Sequence, residues 1–275
     1  MYDNDHGILV GYDGSMTSRE AVKWAERAAC DRGVTLTVCH AWEPGSAGPP
    51  VEPEHQDLAE ASARWMLSTA MPHADPEAVR QILAEGPTAR VLCGLSAGAD
   101  MLVVGSRGLG GLTGLLLGSV SLQVAGFAVS PVVVVRGRWH PSGGYVPGHI
   151  VAGIDGSDGS DDVLTFAGTE AAMRRVPLTA VCALADAPGE LGAGERLAED
   201  FERIVTRWEK DHPEVEVHRH VTGRSARTAL LESARDAQLV VVGRRGRGGL
   251  PRMPLGNVAE TLLSHAPCPV AVVGT

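Results

Sequence analysis

Two stretches of this sequence have the residue types and spacing to approach an anion. "VVGSRGLGGLTGLLLGSV" runs from Val103 to Val120, and "VVGRRGRGGLPRMPLGNV" from Val241 to Val258. Each sets three glycines at one spacing: Gly105, Gly108 and Gly118 followed by Ser119, then Gly243, Gly246 and Gly256 followed by Asn257. Each opens as an apolar run and closes where a helical pattern begins. Glycines at a strand exit let backbone N–H groups come close to a phosphate and permit positive φ. A helix start adds free N–H groups and the positive end of the helix dipole, and Ser119 or Asn257 adds a side-chain donor. The chemistry would be phosphate binding. The structural alternative is that these glycines only close tight turns, and a duplication copies structural glycines as faithfully as functional ones.

A second pair of residues stands at another strand exit: Asp13-Gly14-Ser15, matched by Asp155-Gly156-Ser157. A carboxylate repels phosphate. Its uses there are a hydrogen bond to a base or ribose, or a grip on a divalent cation such as Mg that faces phosphate oxygens. The two glycine stretches differ most in charge. The second carries Arg244, Arg245, Arg247 and Arg252, the first only Arg107, and Arg247 stands where the first copy has Leu109. Arginine is a multidentate phosphate donor, so Arg247 either assists a triphosphate or points to solvent, and one turn cannot aim four arginines inward.

The elements that must position these residues are written twice. "ILVGYDGS" from Ile8 returns as "IVAGIDGS" from Ile150, and "LTVCHAW" from Leu36 as "LTAVCAL" from Leu178. Each half ends in a proline and a β-branched run, "SPVVVVR" and "CPVAVVG". The Gly- and Pro-rich seam between them predicts domains over residues 1–138 and 148–275 joined by a linker over 139–147. Within each copy, short runs apolar on both faces alternate with helical patterns. This predicts two tandem doubly wound α/β domains, each with five parallel strands covered on both sides. Thr17-x-x-Glu20 has the form of a capping box opening the first helix, which stops near Gly33. Leu58, Ala61 and Trp65 form a stripe in the second helix of the first copy, and Leu197, Phe201, Ile204 and Trp208 in that of the second. Trp65 and Trp208 read as core or interface anchors.

Composition excludes several classes. The net charge is −9, and only Lys23 and Lys210 among the 24 basic residues are lysines. Such a chain has no overall field for nucleic acid or an anionic membrane. No apolar run approaches the ~20 residues of a spanning helix, and the start has no signal-peptide pattern. The five cysteines, an odd count without C-x-x-C spacing, read as reduced thiols, so a cytoplasmic protein is expected. Neither lysine is near a glycine stretch, which excludes a P-loop; the glycines follow the fourth strand rather than the first, which argues against a nicotinamide fold. H-E-x-x-H is absent. His218 and His220 alternate in "VHRHV" and read as an exposed edge strand rather than a metal site, and His40 as a hydrogen-bonded, half-buried residue.

The G-x2-G-x9-G-[S/T] spacing in "GSRGLGGLTGLLLGSVS", the opening "VGYDGS" and the closing "HAPCPVAVV" resemble the universal stress proteins, in their ATP-binding branch. The resemblance covers nearly the whole chain, twice. It implies strand order 3-2-1-4-5, which sets the first and fourth strands side by side with Asp13 and Gly105 at one crevice. It implies ATP as ligand, with a divalent metal. Asp13 and Asp155 would meet the adenosine or the metal, and the backbone near Ala41 and Ala183 the adenine. Gly105, Gly108, Gly118 and Ser119 would hold phosphates in the first copy, and Gly243, Gly246, Gly256 and Asn257 in the second. The second copy departs from the family pattern at Asn257, where Ser or Thr is usual, and at Pro251 and Pro254. The first departs at Phe127 and Ser130, where the second has His265 and Cys268. The implied role is sensing or regulation in a stress response with little or no catalysis, without an identifiable client. The alternatives are a slow nucleotide hydrolase or adenylyl-transfer domain, and a dimerisation module without nucleotide. The short apolar last strands invite pairing, either between the two copies or between chains as a homodimer.

Overall fold

The computed structural model describes residues 5–43, 53–71, 79–109, 117–136, 148–186, 192–247 and 253–274. The chain divides into two compact units, Met1–Val135 and Arg136–Thr275. The expected linker 139–147 lies outside the described residues, as do Pro251 and Arg252.

In the first unit the elements run β1 (Gly7–Gly11), α1 (Met16–Arg32), β2 (Leu36–Trp42), α2 (Pro53–Ser68), β3 (Val79–Glu85), α3 (Thr88–Ser96), β4 (Ala99–Gly105), α4 (Ser119–Phe127) and β5 (Val132–Val135). All pairings are parallel and the order is β3-β2-β1-β4-β5, with Val10 level with Val38 on one side and Val103 on the other. The second unit repeats it: β6 (His149–Gly153), α5 (Ser160–Arg174), β7 (Leu178–Ala183), α6 (Ala193–Asp211), β8 (Val217–Thr222), α7 (Ala226–Ser233), β9 (Ala237–Gly243), α8 (Asn257–His265) and β10 (Val270–Val273). Its order is β8-β7-β6-β9-β10. Each sheet therefore has the expected 3-2-1-4-5 order.

Consecutive residues Ile8, Leu9 and Val10, Val132 to Val134, and Ile150 to Ala152 are fully buried. Neighbours on a strand face opposite sides, so burial of consecutive residues means both faces are covered. The β-branched runs form the strands for that reason. Chain direction then does the rest. β1 crosses to β2 on one side while β4 pairs on the other, so a crevice opens at the carboxyl ends of β1 and β4. β8 is the outer strand beyond β7, and His218, Arg219 and His220 are exposed on it.

Two local expectations are corrected. The N-cap of α1 is Ser15, whose Oγ accepts from the Ser18 N–H at 3.1 Å. Thr17 does not cap; its hydroxyl donates to the Arg107 carbonyl instead, and Glu20 pairs with Lys23 at 2.8 Å. Gly33 does stop α1, in the left-handed conformation at φ 65°. In α2 the buried face is Ala63 and Leu67, while Ala61 is exposed and Trp65 is 68% exposed. Trp65 is therefore no core anchor. The stripe of α6 stands, with Leu197, Phe201 and Trp208 buried and Val205 in place of Ile204.

Candidate functional site

The two aspartates join the strand exits. Asp13 Oδ1 accepts from the Ser15 N–H at 3.0 Å, and Oδ2 from the Leu109 N–H at 3.1 Å. Asp155 repeats this: Oδ1 accepts from the Ser157 N–H at 3.0 Å, and Oδ2 from the Arg247 N–H at 2.9 Å. Each carboxylate thus ties the loop after the first strand to the loop after the fourth. Burial pushes the Asp13 carboxyl up, but donors from Ser15 and Ser18 and the Leu109 amide outweigh it and hold the group below the ordinary carboxylate range.

That contact explains one glycine of each stretch. A Cβ on Gly108 would lie 2.5 Å from Asp13 Oδ2, and one on Gly246 2.4 Å from Asp155 Oδ2. Positive φ is not the reason. None of Gly105, Gly108, Gly118, Gly243, Gly246 and Gly256 is among the positive-φ glycines; Gly14 and Gly156 are, at 81° and 69°. Gly105, Gly108 and Gly246 are needed for space, whereas Gly256 has room for a Cβ, and the Asp-Gly-Ser turns need glycine for conformation. Gly105 is packed against α1, where a Cβ would meet the Thr17 carbonyl carbon at 2.6 Å.

The far end of each stretch returns to its start. The Gly118 N–H donates to the Ser106 carbonyl at 2.8 Å, and the Gly256 N–H to the Arg244 carbonyl at 2.9 Å. Both glycines are N-caps, of α4 and α8, and neither helix has a side-chain cap. Ser119 and Asn257, the first residues of these helices, are exposed, and the first N–H groups of a helix have no intrahelical acceptor. In the second unit these parts line a cavity of about 390 Å³. Asp155, Ala183, Gly243, Gly246, Arg247, Gly256 and Asn257, all marked by the sequence, lie on its wall. In the first unit, Asp13, Gly105, Gly108, Gly118 and Ser119 hold matching chain positions, Ala41 lies one residue before the end of β2, level with Ala84, and residues 110–116 lie outside the described residues.

Sequence reasoning missed the apolar lining, which includes Ile154, Val181, Leu197 and Leu230, and it missed Arg227 on α7. Spacing could not flag them, because strand and helix cores carry the same residue types everywhere. Of the four arginines of the second stretch, Arg245 and Arg247 line the cavity. Arg247 does not merely point to solvent. Its Nη2 donates to the Gly156 carbonyl at 2.8 Å and to Asp200 Oδ2 at 2.9 Å. Arg247 holds Asp200 below the usual carboxylate range, with help from Arg203. The copies also cap their first helices differently. Ser157 turns its hydroxyl to Asp155 at 2.6 Å rather than to a helix amide, so α5 begins after Gly159. Burial pushes the Cys182 thiol up to about 11, with Asp155 adding to it, so it is no thiolate at neutral pH. None of the five cysteines is in a disulfide, and His40 Nδ1 is 2.7 Å from the Tyr12 carbonyl. Among the described residues no three His, Cys, Asp or Glu side chains converge on a cation position, and no helix is long and apolar enough to cross a membrane.

The model of the universal stress protein family matches residues 6–136 and again 148–274. A universal stress protein of Mycolicibacterium smegmatis is 34% identical over 289 residues, covering 98% of this chain and 97% of that protein. One of Mycobacterium tuberculosis is 34% identical over 304 residues, covering 97% and 94%. Among solved structures, a universal stress protein from Archaeoglobus fulgidus superposes with a TM-score of 0.72 at 20% identity, over 98% of this chain and 97% of that one.

Proposed function

The chain belongs to the universal stress protein family, and we propose that within it this protein binds ATP and acts as a regulatory sensor in a stress response. In this reading residues 1–138 and 148–275 are two nucleotide modules joined by 139–147. The observation that carries it is the cavity of the second unit. Its volume of about 390 Å³ falls in the usual range for small-molecule sites, and it combines an apolar wall with arginines and an uncapped helix start. The base would meet the backbone at Ala183, the phosphates the N–H groups at the start of α8, with Asn257 and Arg245 as side-chain donors. The first copy would hold ATP through Asp13, Ala41, Gly105, Gly108, Gly118 and Ser119.

A divalent cation fits as a companion of the phosphates rather than as a resident of the protein. Asp155 Oδ1 already accepts from Ser157 and Ser160, while Oδ2 accepts one amide and keeps one lone pair free. Mg bound mainly by phosphate oxygens and water needs no more than that. Among the described residues Asp155 is also the one carboxylate on the wall, beside Arg227, Arg245 and Arg247. A base tied into the loops suits holding a nucleotide better than turning it over.

Calorimetry on the full chain tests the reading. A Cβ on Gly256 would stand 3.5 Å from the Arg244 carbonyl oxygen, an ordinary contact, so Gly256→Glu folds while placing an anion at the start of α8. The wild type is expected to take two ATP per chain, and Gly256→Glu and Gly118→Glu one each. Unchanged binding by Gly256→Glu would overturn the second site. Sustained ATP turnover by the wild type would replace the sensor with a hydrolase. Native mass spectrometry reads bound nucleotide and the expected homodimer together.

A further inference from the structure

We propose that Arg247 makes the second site favour nucleoside polyphosphates over nucleosides, and that Asp200 is an internal competitor for Arg247 that moderates this preference. The proposal rests on the nucleotide reading of the same cavity. Arg247 follows Gly246 directly, and its main chain is fixed by the amide bond to Asp155. Its side chain reaches across to α6 and to the turn after β6. There Nη2 is shared between Asp200 Oδ2 at 2.9 Å and the Gly156 carbonyl at 2.8 Å. Asp200 stands one turn beyond Leu197, which lines the cavity, and its other oxygen holds Arg203 at 2.6 Å. The guanidinium lies against Gly156: a Cβ there would be 2.5 Å from Nη2.

This ion pair is part-exposed, at 34% and 29% for the two side chains. Pairs of that kind contribute little to stability, so exchanging the partner costs little. A polyphosphate presents several charged oxygens and binds a guanidinium bidentately, which one shared carboxylate oxygen does not. It can therefore displace Asp200. A nucleoside has no charge with which to do so and leaves the pair closed. The first copy supplies the contrast within the same chain. Leu109 replaces Arg247, and the thioether of Met66 on α2 covers the turn, 2.4 Å from where a Cβ on Gly14 would stand. An apolar cover there offers a phosphate nothing to exchange.

The experiment uses the full chain with the first site blocked by Gly118→Glu, or by Ser119→Glu should the former not fold. ATP and adenosine are titrated by calorimetry at low and high salt, with folding checked by circular dichroism. Asp200→Asn, at a part-exposed position, is expected to tighten ATP about threefold and leave adenosine unchanged, the scale of an exposed ion pair. Arg247→Leu is expected to weaken ATP by a similar factor, and Asp200→Asn added to it to do nothing more. In the parent chain ATP exchanges one ion pair for another, so its affinity depends weakly on salt; Asp200→Asn makes that dependence steeper. An unchanged ratio of ATP to adenosine affinity in Asp200→Asn, with both ligands still bound, overturns the proposal and leaves the nucleotide site standing. A folded parent chain that binds neither ligand overturns the nucleotide reading, and the proposal with it.

Discussion

Asp13 and Asp155 each accept an amide from the loop that follows the fourth strand, and that single contact sets what the neighbouring glycine can be. Gly246→Ala puts a methyl group 2.4 Å from Asp155 Oδ2 and forces the carboxylate off the Arg247 amide. The expected cost is about 1–3 kcal/mol, that of a charged hydrogen bond lost with its acceptor still present, read by urea unfolding. The same change in an Asp155→Ala chain should cost markedly less, because the clash and the bond disappear together; equal costs would show that Gly246 is needed for another reason. Asp13 adds a pH dependence. The folded chain holds it below its unfolded value near ~3.9, because the donors from Ser15, Ser18 and Leu109 outweigh burial. Its stabilisation is therefore present above about pH 4 and is lost as pH falls through the folded value. The melting temperature of Asp13→Asn should lie below that of the wild type at pH 7, with the gap closing in acid. A constant gap from pH 7 to pH 3 would contradict this.

At the scale of elements, α1 shows how a correct helix can carry a misplaced cap. Thr17-x-x-Glu20 matches the capping pattern, yet Ser15 two residues earlier accepts from the Ser18 amide. Either hydroxyl was locally eligible, and the partner decided: Arg107, on a different loop, takes Thr17. Ser15→Ala should cost about 1 kcal/mol of unfolding free energy, whereas Glu20→Ala, which loses only an exposed pair with Lys23, should stay within about 0.5 kcal/mol. A larger loss at Glu20 would restore the expected box. α2 was legible as a helix but not by face. Its apolar residues fall on two stripes, and the sheet takes Ala63 and Leu67 rather than Ala61 and Trp65. The stripe of α6 has no such rival, and Leu197, Phe201 and Trp208 are buried as the spacing required.

The whole molecule is one plan used twice, with the copies diverging where partners come from distant elements. If each unit is a complete module, residues 148–275 expressed alone should fold cooperatively and bind ATP with the affinity of the full-length Gly118→Glu chain. A fragment that folds without binding would show that the second site needs the first half. The sequence by itself determined the duplication, the alternation of strands and helices, the parallel sheets and the residues that stand at strand exits and helix starts. Those follow from periodicity and chain order, which are local or repeat along the chain. With the strand order supplied by family resemblance, seven residues chosen in advance line one cavity. Only the tertiary structure decided which atoms meet: Asp155 with the amide of Arg247, the Arg247 guanidinium with Asp200, Thr17 with the Arg107 carbonyl, Met66 over Gly14. These partners lie on different elements, far apart in sequence. No local pattern ties one to the other, because a side chain's partner is set by the crossing of helix, loop and sheet, and that geometry exists only once the chain has folded.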